Sequence, residues 1–330
     1  MREINSPEQI REIAYAFQES RILLTAVELK IFTYLDGHMK TSEEISESIL
    51  TDKRATNRLM NALCGMGLLR KVKGKFYNSE VASKYLVESK PEFMAGLFHT
   101  NHLWDNWSYL TESVKKGNSA VSDQSSNNKG KDWTESFIAA MHYRAVKQSK
   151  LLAMMINLKN VNKVLDVGGG SGAFSMGLIN SKPEIHATIF DLPNVIRLTK
   201  KYVEQADLSD KFSFVEGNYL IDEFNGKYDL ILLSAVIHIN SYTENKNLIN
   251  KCAEALNPNG MIVINDFIMN EDRTKPYHSA VFALNMLVST KHGDTYTETE
   301  IREWFTAAKI EKVELKPTSF GTSLMIGYKK

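Results

Sequence analysis

"VLDVGGGSGAFS", residues 164–175, is the stretch whose reading decides the fold. A run of apolar and β-branched residues carries Asp166 to its end at Val167, four glycines occupy the next five positions, and an apolar segment follows. A strand that must turn sharply into a helix, while its backbone comes close to a ligand, needs glycine because a Cβ would obstruct both. The stretch reads as a nucleotide-binding turn.

The chain after this turn alternates strand and helix. "KVLDV" precedes a helix from about 172, "HATIF" a helix from Pro193, "KFSFVEG" a short link, and "YDLILLSAVIHI" a helix over 242–256. "GMIVIND", helices near 279–290 and 298–308, and the strands "KVELK" and "SLMIGYK" complete the pattern. Such alternation predicts an α/β fold with a doubly wound, Rossmann-like sheet of mostly parallel strands over residues 160–330. Ser241 with Glu244, and Thr297 with Glu300, have capping-box spacing and mark two helix starts.

Upstream, residues 8–36 carry Ile10, Ile13, Phe17, Ile22, Leu23 and Val27 at helical spacing and predict an amphipathic helix. "TSEEISESI", a longer helix ended by Gly65 and Gly67, and a hairpin turning at Gly74 then follow in the order of a winged helix, so residues 1–90 are expected to form a mostly helical winged-helix domain. DNA binding is one reading of that order. Against it, residues 1–90 hold 14 Lys and Arg and 12 Asp and Glu, a balance of only +2, and DNA affinity comes largely from phosphate neutralisation. A packing or dimerising role is preferred, and no nucleic acid is expected. Residues 91–159 read as a helical connector, rich in aromatics at 91–115 and interrupted by the polar segment "KKGNSAVSDQSSNNKGKD" at 115–132, a loop or linker.

The composition is that of an ordinary globular protein. Among 330 residues, 40 basic and 39 acidic side chains give a net charge of +1, so no global field recruits polyanions. Charges interrupt the N-terminal region where a signal peptide needs an apolar core, and runs such as "LILLSAVIHI" are too short to span a bilayer. A cytoplasmic protein without a membrane partner is the expectation. Cys64 and Cys252 stand alone, so neither a disulfide framework nor a metal site is indicated.

The nucleotide has two candidates. Gly168, Gly170 and Ala173 fit G-x-G-x-x-G/A, which suits a dinucleotide such as NAD as well as S-adenosyl-L-methionine. Asp191, at the end of the next strand in "IFDLPNV", suits the ribose hydroxyls of either. Asp166, two residues before the first glycine, suits the charged amino-acid portion of S-adenosylmethionine. "ALNPNGMIVIND", residues 255–266, adds a helix end, a Pro-Asn-Gly turn and a strand. With "VLDVGGGSG" and "FDLP", it resembles the class I methyltransferases that use S-adenosylmethionine, specifically the O-methyltransferases of the plant caffeate and hydroxyindole type and their bacterial relatives. The resemblance covers nearly the whole chain.

That resemblance implies a homodimer acting on an aromatic small-molecule acceptor in secondary metabolism. It implies a donor site made by Asp166, Gly168, Gly169, Gly170, Asp191 and Leu192, with Asn218 and Tyr219 beside the adenine and Ser234 at the end of strand four. The family usually has an Asp before a large apolar residue near the adenine, where this chain has Asn218 and Tyr219. Phe137, Met141, Asn285 and Met286 fall where relatives line the acceptor pocket, although Phe and Met at helical spacing equally suit core packing. His238 aligns with the general base of the motif H-x-W-x-D, but Asn240 and Tyr242 replace its Trp and Asp. The two glutamates that flank that base in plant members align with Thr295 and Ile326, which leaves His238 without an evident carboxylate; Asp266 and Asp294 are candidate substitutes. N- or C-methylation, a non-methylating reaction on the same scaffold, and a regulator responsive to S-adenosylmethionine remain as alternatives.

Overall fold

The computed structural model describes residues 3–121 and 131–330, without the side chains of residues 131–133 and 136. Half of the expected linker at 115–132, residues 122–130, lies outside the described residues. Two compact units are present, Met1–Trp104 and Asp105–Lys330. Their boundary falls within the stretch expected as a connector.

In the first unit the predicted 8–36 helix is divided into Pro7–Tyr15, Phe17–Glu28 and Ile31–Tyr34. Lys30 is left-handed at φ 55° and turns the chain between the last two. Apolar periodicity runs through such a break unchanged, because it reports which face is apolar and not whether the backbone is continuous. Thr41 and Glu44 form a reciprocal capping box that starts the Ser42–Ser48 helix, and Asp52 caps Lys53–Gly65. The antiparallel hairpin of β1 (Leu69–Val72) and β2 (Lys75–Asn78) follows, turning through Lys73 and Gly74, both at positive φ. Phe32, Ile45, Met60, Leu63, Leu69 and Phe76 are fully buried in its core, each stabilising the unit by roughly 1.5–3 kcal/mol relative to exposure.

The second unit is built on seven strands in the order β5-β4-β3-β6-β7-β9-β8. Here β3 is Lys163–Val167, β4 His186–Asp191, β5 Phe212–Glu216, β6 Tyr228–Ser234 and β7 Leu256–Asp266. These five are parallel, and β8 (Ile310–Pro317) and β9 (Ser323–Lys329) add an antiparallel edge. Alternate residues of the central strands feed two cores. Leu165, Val167, Ile231, Leu233, Ile262 and Ile264 pack on one face, and Val164, Leu230, Leu232, Met261 and Val263 on the other. Burial on both faces explains why these strands read as continuous apolar runs. Both anticipated capping boxes, at Ser241 and Thr297, are present.

The strand order reverses at β3, whose neighbours are β4 on one side and β6 on the other. In open sheets of this kind ligands bind beyond the carboxyl ends of the strands at that reversal. Among the described residues no helix is long and apolar enough to cross a membrane.

Candidate active site

The glycine turn leaves β3 at this reversal. Gly168, Gly170 and Gly172 all have positive φ, at 65°, 57° and 76°. A Cβ on Gly168 would stand 3.0 Å from Cγ2 of Val236, just beyond β6. The turn is therefore cut to glycine both by its dihedrals and by the narrow crevice between β3 and β6. Gly169 is confined differently, since a Cβ there would lie 2.9 Å from the Asp166 carboxyl carbon.

Two acids brace this turn. Asp191 accepts the Gly170 N–H at 2.9 Å through Oδ2 and the Leu192 N–H at 2.7 Å through Oδ1. Each oxygen keeps a lone pair for a ligand hydroxyl. Burial nevertheless raises the Asp191 pKa, against these two backbone bonds. Asp166 is buried and accepts the Ser175 hydroxyl at 2.7 Å. Burial, opposed by that bond and reinforced by the Asp191 charge, pushes its pKa up to about 7.

The sign of the resulting pH dependence follows from linkage. A carboxyl with a folded-state pKa raised from 3.8 to about 7 holds its proton more tightly when folded, so its stabilisation is complete below pH 3.8 and is lost as pH rises to about 7. The ligand-free protein is expected to lose stability across that window, and a cationic ligand beside Asp166 to bind more tightly as pH rises from about 6 to 8. Calorimetric titration with S-adenosylmethionine over that range checks this; affinity independent of pH would contradict it.

The second half of the site is the turn after β6. Ala235 is left-handed at φ 59°, and a short 3-10 turn, Ile237–Ile239, then carries His238. Buried polar groups hold the segment from several sides. Asn240 Nδ2 donates to Asn245 Oδ1 at 3.0 Å, Asn245 Nδ2 donates to the Ile237 carbonyl at 2.8 Å, and the Tyr296 hydroxyl donates to the Asn240 carbonyl at 2.6 Å. Tyr219 closes the network by donating its hydroxyl to Asn240 Oδ1 at 3.1 Å. Gly293 lets the following loop approach, since a Cβ there would overlap the His238 carbonyl oxygen.

His238 Nδ1 lies 2.7 Å from Asp266 Oδ1, and the Phe267 N–H donates to the same oxygen at 2.8 Å. The pairing follows from sheet register, because Ser234 of β6 lies beside Asn265 of β7 and the two strands end together. With Asp266 as acceptor, Nδ1 carries the proton and Nε2 presents a lone pair. Nε2 has no hydrogen-bond partner among the described residues, and 10% of the side chain stays accessible. The arrangement can hold a neutral imidazole ready to take a proton.

The expected donor residues come together around the turn. Asp166, Gly168, Gly169, Gly170, Asp191 and Leu192 surround it, and the Tyr219 ring lies 3.8 Å from the Cβ position of Gly168. Asn218 Oδ1 accepts the Leu220 N–H, so one of its lone pairs serves its own turn. Ser234 accepts from Asn265 Nδ2 within the sheet.

The expected acceptor residues divide between two helices. Phe137 and Met141 lie on Lys131–Met155, where Phe137 packs against Ile138, Val195 and Leu198. Asn285 and Met286 lie on Tyr277–Ser289; Asn285 Oδ1 accepts from Trp107 Nε1 at 3.0 Å, and Met286 is buried.

Of the two candidate carboxylates, Asp294 instead pairs with Arg273, while Asp266 reaches His238. Thr295 is buried with its hydroxyl unbonded, and Ile326 sits mid-strand in β9 opposite Val263. Sequence reasoning did not anticipate Phe267 and Phe282 around the imidazole, nor His142, whose Nδ1 lies 2.9 Å from the Ser171 hydroxyl. Their only linear signal is aromatic character.

A doubly wound sheet with a glycine turn at its strand-order reversal, an acid braced against that turn and a buried His-Asp pair fits a nucleoside-dependent group-transfer enzyme. Residues 107–310 match the O-methyltransferase domain family and residues 11–89 the O-methyltransferase dimerisation domain. The chain belongs to this O-methyltransferase family and is a methyltransferase dependent on S-adenosylmethionine. Similar proteins include the 3-hydroxy-5-methyl-1-naphthoate 3-O-methyltransferase of Streptomyces sahachiroi, 26% identical over 93% of this chain and 90% of that one. The tetracenomycin polyketide synthesis 8-O-methyltransferase TcmO of Streptomyces glaucescens is 27% identical over 99% and 98%. A solved O-methyltransferase family protein from Burkholderia thailandensis superposes with a TM-score of 0.89 at 25% identity, covering 99% of each chain.

Proposed function

We propose that this protein transfers a methyl group to a hydroxyl of an aromatic small molecule in secondary metabolism, with His238 as the general base. The observation that carries this reading is the 2.7 Å contact of His238 Nδ1 with Asp266, which leaves Nε2 as the proton-accepting nitrogen. The similarity to the naphthoate and tetracenomycin enzymes supports an aromatic acceptor.

The residues present fit S-adenosylmethionine. Glycines 168–170 form a cradle that a Cβ would fill, Asp191 keeps acceptor capacity for ribose hydroxyls, and Asp166 supplies a carboxyl beside the turn. When bound, S-adenosylmethionine supplies an electrophilic methyl group on a positively charged sulfur. In this reading the glycine turn and Asp191 fix the donor, Tyr219 flanks it, and His238 receives the acceptor hydroxyl proton. An ordinary phenol and an ordinary imidazole differ by roughly 3.5 pKa units, or about 5 kcal/mol for complete prior transfer. Overlap of proton removal with methyl transfer lowers that requirement, so the base needs position more than strength.

The test is an acceptor screen with the purified protein. Phenolic and naphtholic compounds are expected to yield S-adenosylhomocysteine and an O-methylated product, located by mass and NMR. Methylation only at nitrogen or carbon would replace this reading.

A homodimer is part of the same proposal. The Pro7–Tyr15 helix buries none of its residues, and Ile13, Tyr15 and Phe17 present an apolar surface within the region that matches the dimerisation domain, which Ile10 extends just before it. A monomer in sedimentation at micromolar concentration would contradict it.

A further inference from the structure

The rings around His238 form a short file that ends at a positive charge. Phe282 meets the imidazole edge to face at 4.9 Å between centroids, and Phe267 lies 4.1 Å from Phe282 and 6.5 Å from His238. The Arg144 guanidinium carbon stands 5.9 Å from the centre of the Phe267 ring. Arg144 is three residues beyond Met141 on the Lys131–Met155 helix, and Phe267 directly follows Asp266.

The second unit contains four arginines. Arg197 pairs with Glu135, Arg273 with Asp294 and Glu300, and Arg302 with Glu298. Arg144 has no carboxylate partner among the described residues. A guanidinium is charged at every relevant pH, and its contact with an aromatic ring engages none of its N–H donors in a hydrogen bond, which leaves them for an anion.

We propose that Arg144 is an anion subsite of the acceptor pocket and that the preferred acceptor is a hydroxylated aromatic carboxylic acid. This rests on the reading that His238 faces the acceptor. Arg144 and His238 flank the same ring, Phe267, so a flat molecule lying along that ring reaches the imidazole with its hydroxyl and the guanidinium with its carboxylate. A carboxylate is favoured over a tetrahedral anion because it is planar like the aromatic body, and a guanidinium binds it with two parallel N–H bonds.

The experiment titrates a hydroxynaphthoic acid and its methyl ester into protein saturated with S-adenosylhomocysteine, and follows methylation of an uncharged naphthol in parallel. The acid is expected to bind about tenfold tighter than the ester. Arg144→Gln should bring the ratio close to one, and Arg144→Lys should leave an intermediate value, because it keeps the charge and loses the planar fork. Equal binding of acid and ester by the unaltered protein would overturn the proposal, as would a preference that survives Arg144→Gln. A loss of S-adenosylhomocysteine affinity in Arg144→Gln as large as the loss for the acid would also overturn it, by assigning Arg144 to the donor. The underlying reading fails separately: an intact acid preference with no phenol methylated removes O-methylation, whereas methylation of the naphthol without an acid preference removes only the subsite.

Discussion

His238→Ala is expected to lower turnover by about 10²- to 10⁴-fold, the range spanned by a positioned general base, while leaving the affinity for S-adenosylmethionine unchanged. The asymmetry follows from where the side chain is tied. Its hydrogen bond goes to Asp266 and its ring contacts go to Phe267 and Phe282, whereas the turn proposed to receive the donor is held by Asp191 through the Gly170 N–H. Removal of the imidazole therefore deletes the proposed proton acceptor without altering the glycine cradle. Residual activity should persist, because holding donor and acceptor together supplies part of the acceleration without a base. His238→Gln serves as a second variant, since it fills more of the space beside Phe282 and retains hydrogen-bonding capacity toward Asp266. Both should be slow. Steady-state kinetics combined with calorimetric donor binding reads the split, and turnover equal to that of the parent protein would remove His238 from the mechanism.

The second large effect is expected at Asp266, which in the proposed mechanism acts through the imidazole as a positioning residue. Asp266 is buried, with one oxygen bonded to both His238 and the Phe267 N–H and the other sealed without a partner. A buried carboxyl with an unpaired oxygen is a poor contributor to stability, since desolvation opposes whatever its contacts gain. Asp266→Asn should thus leave the melting temperature near its original value while lowering kcat by about 10²-fold, because an amide no longer fixes which ring nitrogen bears the proton. The acidic limb of the pH–rate profile, where a base must be unprotonated to act, should move as well, since the orienting group has lost its charge. If Asp266 served only the fold, the substitution would lower the melting temperature and leave the profile of the surviving enzyme unaltered.

Legibility in the sequence divided along physical lines. The glycine turn was readable because a sharp, ligand-approaching turn restricts residue type locally, and Gly168 and Gly170 do adopt positive φ. Asp191 was readable for a similar reason, as the acid that ends the strand after the glycine helix. Strand and helix alternation was readable from apolar runs and from the caps at Ser241 and Thr297. By contrast, the break at Lys30 left the apolar period intact and carried no glycine to announce it.

The carboxylate beside His238 shows the limit most clearly. Linear alignment put the expected acids at Thr295 and Ile326, and offered Asp266 and Asp294 without a means to choose. The choice depends on β6 and β7 being adjacent, parallel and in register from Leu230–Met261 to Ser234–Asn265. Twenty-eight residues separate His238 from Asp266, and only the hydrogen-bonded ladder brings them to 2.7 Å. The substitution of Asn240 has a similar explanation. Its amide and carbonyl tie together Tyr219, Asn245 and Tyr296, so this position supports the turn that bears His238 through a network the sequence does not display.

By itself, the sequence determined the doubly wound architecture and the glycine turn with its two acids, because each depends on local backbone demands or on apolar period, whereas His238 was singled out only by the resemblance of its segment to the family's strand-four motif. The tertiary structure alone decided which carboxyl orients that histidine, which rings line its surroundings, and which arginine stands near it without an acidic partner. Those pairings arise between residues on different strands and helices, where strand order and register, and not spacing along the chain, set the distance between side chains.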